Sequence, residues 1–186
     1  LSSQNKEVTY PEVGQEYEFG EGSFTVLGPT QIRDDSNNNS VVVRLDYGDT
    51  SFLFTGDAES KEEKDIIAAN EDLYCDVLSV GHHGSASSTS WDFLEAVLPE
   101  YAVISCGVNN SYGHPDPDTI EKLESIEAQI FRTDLQGNII AISDGETITW
   151  NNVPSNGEVL YAADFVSVKE EPNDTSSTVG ELGPGN

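Results

Sequence analysis

The sequence predicts an α/β fold in which two β-hairpins lead into a β-α-β-α-β run and a last hairpin closes the unit. Three observations predict it. Short runs rich in Val, Phe, Tyr and Thr, split by Gly-containing turns, fill residues 15–55. Apolar strand-length runs then alternate with segments of helical composition between Ser51 and Ser105. Strand-like patterning returns around Asp144-Gly145.

In the first hairpin, residues 15–28, Tyr17 and Phe19 alternate with acidic residues, Gly20-Glu21-Gly22 turns the chain, and Phe24, Val26 and Leu27 resume the apolar pattern. Arg33 to Asn39 is polar throughout and reads as a loop. Val41–Tyr47 and Ser51–Thr55 form the second hairpin about Gly48-Asp49. Ser60–Asn70 reads as a helix with Ile66, Ile67 and Ala69 on its apolar side. Cys75–Val80 is a short buried strand running into Gly81-His82-His83-Gly84-Ser85. Trp91–Leu98 is the second helix, with Phe93, Leu94 and Val97 inward and Pro99 as its stop. Tyr101–Ser105 is a strand, Asp118–Ala128 the third helix, and Asn138–Ser143 with Thr147–Trp150 the last hairpin. Residues 1–150 make one domain. Residues 151–186 form an acidic tail, largely disordered by composition beyond Val159–Val168, which is the length of one more edge strand.

At 186 residues the chain can bury one sizeable core. Its charge is extreme: 8 Lys plus Arg against 34 Asp plus Glu, a net −26. Such a surface favours a soluble monomer and lacks the clustered cations of a broad nucleic-acid interface. It leans toward an extracellular or cell-surface location. No apolar run reaches the roughly 18 residues of a membrane helix. The chain opens on Leu1 and contains no Met, so it reads as a processed chain or a fragment. Cys75 and Cys106 lie at opposite ends of adjacent parallel strands, about 17–20 Å apart, too far for a disulfide, and read as buried thiols.

Strands joined by a single helix run parallel, and ligands bind outside their carboxyl ends. Asp57 follows the first such strand, His82 and His83 the second, and the loop of Asn109 and His114 the third. All three histidines of the protein therefore converge with one aspartate on a single edge. Carboxylate plus imidazole is a donor set for zinc, manganese or iron. Each residue also has a plainer reading: Gly56-Asp57 as a turn, Ser85 or Ser87 as a helix cap, His114 as an ordinary loop residue. Convergence on one edge favours the ligand reading over the separate plain ones.

Several ordered motifs carry a resemblance. Asn38-Asn39-Ser40-Val41-Val42-Val43-Arg44-Leu45 precedes Phe52-Leu53-Phe54-Thr55-Gly56-Asp57-Ala58-Glu59, then Asp76 to Ser85 with its His-His-Gly-Ser, then Val103-Ile104-Ser105-Cys106-Gly107, Tyr112-Gly113-His114-Pro115 and Arg132-Thr133-Asp134. Over residues 15–150 this series resembles the metallo-β-lactamase-fold domain of ComEC-like DNA-uptake proteins and their stand-alone relatives. The resemblance implies part of an αββα sandwich, with two divalent transition-metal ions (zinc or manganese) in the complete domain, and hydrolysis of a phosphodiester or nucleic-acid substrate. It implies Asp57 as the bridging carboxylate and His82 and His114 as metal ligands. His83 stands beside them as a further catalytic residue, and Asn39, Ser85 and Asn109 lie around the ligands.

The family opens its site with His-x-His-x-Asp-His or His-x-Asp-x-Asp-His, and this chain has no histidine before His82. The ligand set is therefore expected to be incomplete in this chain, through truncation sooner than decay, and the activity of the chain alone is doubtful. A non-catalytic, secreted acidic binding module that keeps the fold is the alternative. A serine hydrolase built on Ser85, His83 and Asp57 lacks the Gly-x-Ser-x-Gly elbow, and a nucleotide-binding domain lacks any phosphate-binding glycine loop.

Overall fold

The computed structural model describes residues 10–70 and 72–156. Seven strands form one sheet in strict chain order. The first four, β1 (Glu16–Phe19), β2 (Gly22–Gly28), β3 (Val42–Tyr47) and β4 (Thr50–Phe54), pair antiparallel as two hairpins joined edge to edge. The turns fall where the glycines put them, with Gly20 and Gly48 both at positive φ.

From β4 onward the pairing is parallel, through β5 (Val77–Ser79), β6 (Tyr101–Ile104) and β7 (Gln129–Arg132). The crossovers are α1 (Ser60–Ala69), α2 (Trp91–Val97) and α3 (Pro117–Ser125). Leu53, Leu78, Ala102, Ile104 and Ile130 point from the sheet into one buried core with Ile66 of α1, Phe93, Leu94 and Val97 of α2, and Leu123 of α3. Ser90 caps α2 through Phe93 N at 3.4 Å, and Asp116 caps α3 through Asp118 N at 2.9 Å, with Pro117 opening that helix.

The strands alternate, so Phe52, Val77 and Val103 face the other way. They line an apolar groove of about 590 Å³ with Phe19, Leu45 and Phe54. The last hairpin, β8 (Ala141–Ser143) and β9 (Ile148–Trp150), forms a separate two-stranded sheet along this face. It is tied down at two ends. Trp150 stacks on Phe131 with ring centroids 4.1 Å apart, and Asp49 N donates to Gly145 O at 2.6 Å. A short helix, α4 (Thr133–Gln136), follows β7 directly. This is one helical layer on one sheet, an αβ portion of the αββα sandwich, and among the described residues the second face of the sheet is covered only by the last hairpin.

Four sequence expectations need adjustment. The third helix ends at Ser125 instead of Ala128, and residues 129–132 are a strand, β7, that had not been anticipated. The Cys75–Val80 strand is shorter, Val77–Ser79, although Cys75 itself is fully buried. Both cysteines are free, as expected, yet Cys106 is only half-buried. The Asn-rich loop holds a 3-10 turn, Asn37–Asn39, whose middle residue Asn38 is wholly buried. The tail expectations, including the edge strand at Val159–Val168, fall outside the described residues. Among the described residues no helix is long and apolar enough to cross a membrane.

Candidate metal centre

The carboxyl ends of β4, β5 and β6 do bring the four residues together. Nε2 of His83 lies 3.8 Å from Oδ1 of Asp57. The ring of His82 is 5.6 Å from that of His114 and 6.2 Å from that of His83.

Each loop is fixed by identifiable contacts. Asp57 leaves β4 after Gly56, which sits at positive φ with Ser40 so close that an added Cβ would stand 3.1 Å from it. Ser40 Oγ accepts from Asp57 N at 3.0 Å, and Thr55 Oγ1 donates to Ser79 O at 3.0 Å, joining the ends of β4 and β5. His82 N donates to Gly56 O at 2.9 Å, which locks the His82-His83 turn onto the Asp57 loop.

That turn is strained. His82 and His83 occupy the left-handed region in succession, at φ 48° and 58°. Side chains there cost on the order of 1–3 kcal/mol each and persist when the surroundings over-determine them. Here the surroundings are tight glycines. A Cβ on Gly81 would stand 3.1 Å from Ser88 Cβ, and one on Gly84 only 2.7 Å from Pro115 Cβ. Ser88 Oγ donates to Ala58 O at 2.7 Å, and Asp116 N to Gly84 O at 2.8 Å. The result turns two adjacent imidazoles toward the same edge.

The tautomer of His83 follows from its partner. Nδ1 lies 2.7 Å from Ser105 O, an acceptor only, so Nδ1 carries a proton; in the neutral ring the lone pair is on Nε2, which stands 3.8 Å from Asp57 Oδ1. His114 is held by Asn110. Its N donates to Asn110 Oδ1 at 3.0 Å and its carbonyl accepts from Asn110 Nδ2 at 2.6 Å. Burial, then the neighbouring imidazoles of His82 and His83, push the His114 ring below the ordinary histidine range, against the opposing pull of Asp116. Neutral imidazole is the form that binds metal. Tyr112 stacks on His114 with centroids 5.8 Å apart, and both line a cavity of about 300 Å³ with His83, Ser105, Cys106, Gly107 and Asn110.

Other expected residues stand elsewhere. Asn39 spends its amide on Arg33, accepting from Arg33 N at 2.7 Å and donating to Arg33 O at 2.8 Å. Ser85 Oγ meets Ser87 Oγ at 3.0 Å, and no imidazole contact to it is found among the described residues. Asn109 is an exposed left-handed turn residue, and its neighbour Asn110 does the holding. Thr133 is legible in the sequence only as part of the Arg132-Thr133-Asp134 motif. Its Oγ1 accepts from Cys106 N at 2.9 Å and pins the start of the His114 loop to the end of β7.

A divalent cation is implied by the resemblance, and the donors present fit it in chemistry: one carboxylate and three imidazoles at one sheet edge, with His83 Nε2 3.8 Å from the Asp57 carboxylate. They do not close into a cage. Among the described residues no group of three or more His, Cys, Asp or Glu is close enough to hold a metal by itself.

The model of the Metallo-beta-lactamase superfamily matches residues 5–108, which takes in Asp57, His82 and His83 and stops short of His114. ComE operon protein 3 of Bacillus subtilis is 38% identical over 117 residues, 62% of this chain and 15% of that protein. Competence protein ComA of Neisseria gonorrhoeae is 38% identical over 125 residues, 66% of this chain and 18% of that protein. Recombination protein 2 of Haemophilus influenzae is 36% identical over 133 residues, 70% of this chain and 16% of that protein. The chain thus spans 15 to 18% of the length of these curated relatives.

Proposed function

This chain belongs to the metallo-β-lactamase superfamily, in its ComEC-like subgroup, and from that membership we propose that it supplies one wall of a metal-dependent phosphodiesterase centre acting on nucleic acid. The fold is of the metal-dependent hydrolase type; the substrate, the metals and the residue roles are the proposal. The observation that carries it is His83 Nε2 standing 3.8 Å from Asp57 while Nδ1 bonds Ser105 O, with His82 and His114 within ring contact of each other.

Bound divalent cations, zinc or manganese, would supply an activated water and offset the charge that develops on the phosphoryl oxygens. The chain's own residues then have defined tasks. Asp57 would hold the cations through its carboxylate, and His82 and His114 through imidazole nitrogens. The bond to Ser105 places a proton on His83 Nδ1, so in the neutral ring Nε2 is the nitrogen that can serve as a ligand or accept a proton beside Asp57. Tyr112, exposed and stacked on His114, offers a flat face at the mouth of the site on which a base can rest. The names of the relatives speak of competence and recombination, which fits a nucleic-acid substrate.

The remaining ligands would come from an upstream His-x-His-x-Asp-His or His-x-Asp-x-Asp-His segment, since this chain has no histidine before His82. Titration of the chain with Co²⁺, read by its visible absorption, tests the division of ligands. The chain alone should bind weakly, and the chain joined to such a segment should take up two equivalents and hydrolyse bis(p-nitrophenyl) phosphate. Tight stoichiometric binding by the chain alone would show that the ligand set is drawn wrongly. No metal in the joined protein would leave the acidic binding module in its place.

A further inference from the structure

Glu59 is two residues beyond Asp57, at the entry of α1, and has no part in the ligand set just described. Its carboxylate is nonetheless built into place. Oε1 accepts from Asn37 Nδ2 at 3.2 Å and from Ser87 Oγ at 3.0 Å, and Oε2 accepts from Asn38 Nδ2 at 3.3 Å. Asn38 is fully buried and is itself anchored, donating to Asp35 Oδ2 at 2.6 Å while its Oδ1 accepts from the N–H groups of Glu59 and Glu62, both at 3.2 Å. A buried amide thus caps α1 from outside the helix and steers the Glu59 side chain with the same group.

What the carboxylate faces is His82, whose Nδ1 lies 3.5 Å from Glu59 Oε1 and 3.4 Å from Ser87 Oγ. The hydrogen-bond direction follows from the partners. A carboxylate only accepts, so Ser87 spends its proton on Glu59 and turns a lone pair toward His82. Both neighbours of Nδ1 are then acceptors, and Nδ1 must carry the proton. Nε2, across the ring, is left with its lone pair.

We propose that Glu59 is a positioning residue that, with Ser87, fixes His82 as the Nδ1–H tautomer and holds Nε2 available at the site edge. Carboxylates in this relation to a metal-binding or proton-transferring imidazole set both ring orientation and basicity. The arrangement matches that of His83, which reaches the same tautomer through a backbone carbonyl. Both imidazoles of the His-His-Gly-Ser turn are thereby prepared with Nε2 free, one through Glu59 and one through Ser105. The role of Glu59 rests on the reading that His82 serves the metal centre, but the tautomer itself does not depend on that reading.

Long-range ¹H–¹⁵N correlation spectra of the ¹⁵N-histidine-labelled chain, without metal and at a pH where His82 is neutral, test the proposal. His82 should show a protonated, pyrrole-type Nδ1 and a pyridine-type Nε2. Glu59→Ala should move it toward the Nε2–H tautomer that free imidazole favours. Glu59→Gln, which keeps an acceptor oxygen, should retain most of the Nδ1–H form. The tautomer of His83 reports the integrity of the turn and should stay unchanged in both variants. An Nε2–H His82 in the parent would overturn the proposal. So would a His82 signal unaltered by Glu59→Ala, or one altered equally by Glu59→Gln. Because no metal or substrate is present, failure here leaves the hydrolase reading standing. Failure of metal uptake in the joined protein leaves the tautomer result standing.

Discussion

His83 donates its Nδ1 proton to Ser105 O at 2.7 Å and so turns Nε2 toward Asp57, 3.8 Å away. One side chain thereby links the loops that follow three successive parallel strands. Asp57 comes from β4, His83 from β5 and Ser105 from β6, and the spacing of those strands is fixed by continuous parallel registers. The chemistry of the site is in this sense a property of the sheet edge. His83→Ala in a protein joined to the upstream histidine segment should weaken metal binding by about 10–100-fold, the range found when groups supporting a metal site are lost. An unchanged affinity by competition with a chromophoric chelator would place His83 outside the centre.

Gly84 is the closest packing point behind the two histidines. It sits at φ 82° with Pro115 where a Cβ would go, and Ile104 Cγ2 would lie 3.3 Å away. Gly84→Ala adds both left-handed strain and overpacking, together about 2–4 kcal/mol. The variant should unfold at lower urea, and its His82, His83 and His114 ring signals should all shift. A stability equal to the parent's would show that the turn is looser than this packing implies.

Asn38→Ala removes the external cap of α1 and two supports of the acidic cluster in one step. A loss of about 1–3 kcal/mol is expected from denaturant unfolding, since buried donors and acceptors lose their partners. Asn39→Ala, whose contacts are confined to the Arg33 backbone, should cost less. The reverse order would contradict the burial of Asn38.

Glu63 supplies a pH test. It is buried on α1, where its carboxylate accepts from the backbone of Thr89 and Ser90. Burial is the largest influence and holds the carboxyl above its ordinary 4.5, despite those bonds and the field of Lys122. A raised folded value means the folded chain keeps the proton more tightly than the unfolded chain. The stability this contributes is therefore complete below about 4.5 and is lost as pH rises through the folded value. Glu63→Gln cannot ionise, so its urea midpoint relative to the parent should improve as pH rises from 4.5 toward neutrality. A difference independent of pH would mean that Glu63 ionises at its ordinary value.

Much of this architecture is legible in the sequence because short-range signals agree with the fold. Gly20 and Gly48 mark the two hairpin turns, and the alternation of Leu53, Leu78 and Ala102 with Phe52, Val77 and Val103 separates the two faces of the sheet. Strand order alone then places Asp57, His82, His83 and His114 on one edge. What stays hidden depends on tertiary contact. The strand β7 is four residues long and follows an amphipathic helix without a strong breaker, so the helical pattern absorbs its start. The burial of Asn38, and the choice of Asn110 over Asn109 as the support of His114, are settled by which amide reaches a neighbouring loop. Composition treats those asparagines alike. The left-handed pair at His82 and His83 is equally invisible, because the packing of Gly81 and Gly84 forces it and no local preference favours it.

The groove over Phe52, Val77 and Val103 belongs to the same picture. A sheet needs cover on both apolar faces, and among the described residues β8–β9 covers only part of the second. In an αββα sandwich that cover is another sheet.

Metal content and phosphodiesterase turnover of Asp57→Ala, measured together in the protein joined to an upstream His-x-His-x-Asp-His segment, probe the central claim most directly. If Asp57 bridges the centre, the variant should lose bound transition metal and hydrolysis together while keeping the parent's circular dichroism. Two equivalents of metal and activity within about tenfold of the parent, a barrier change of roughly 1.4 kcal/mol or less, would contradict it.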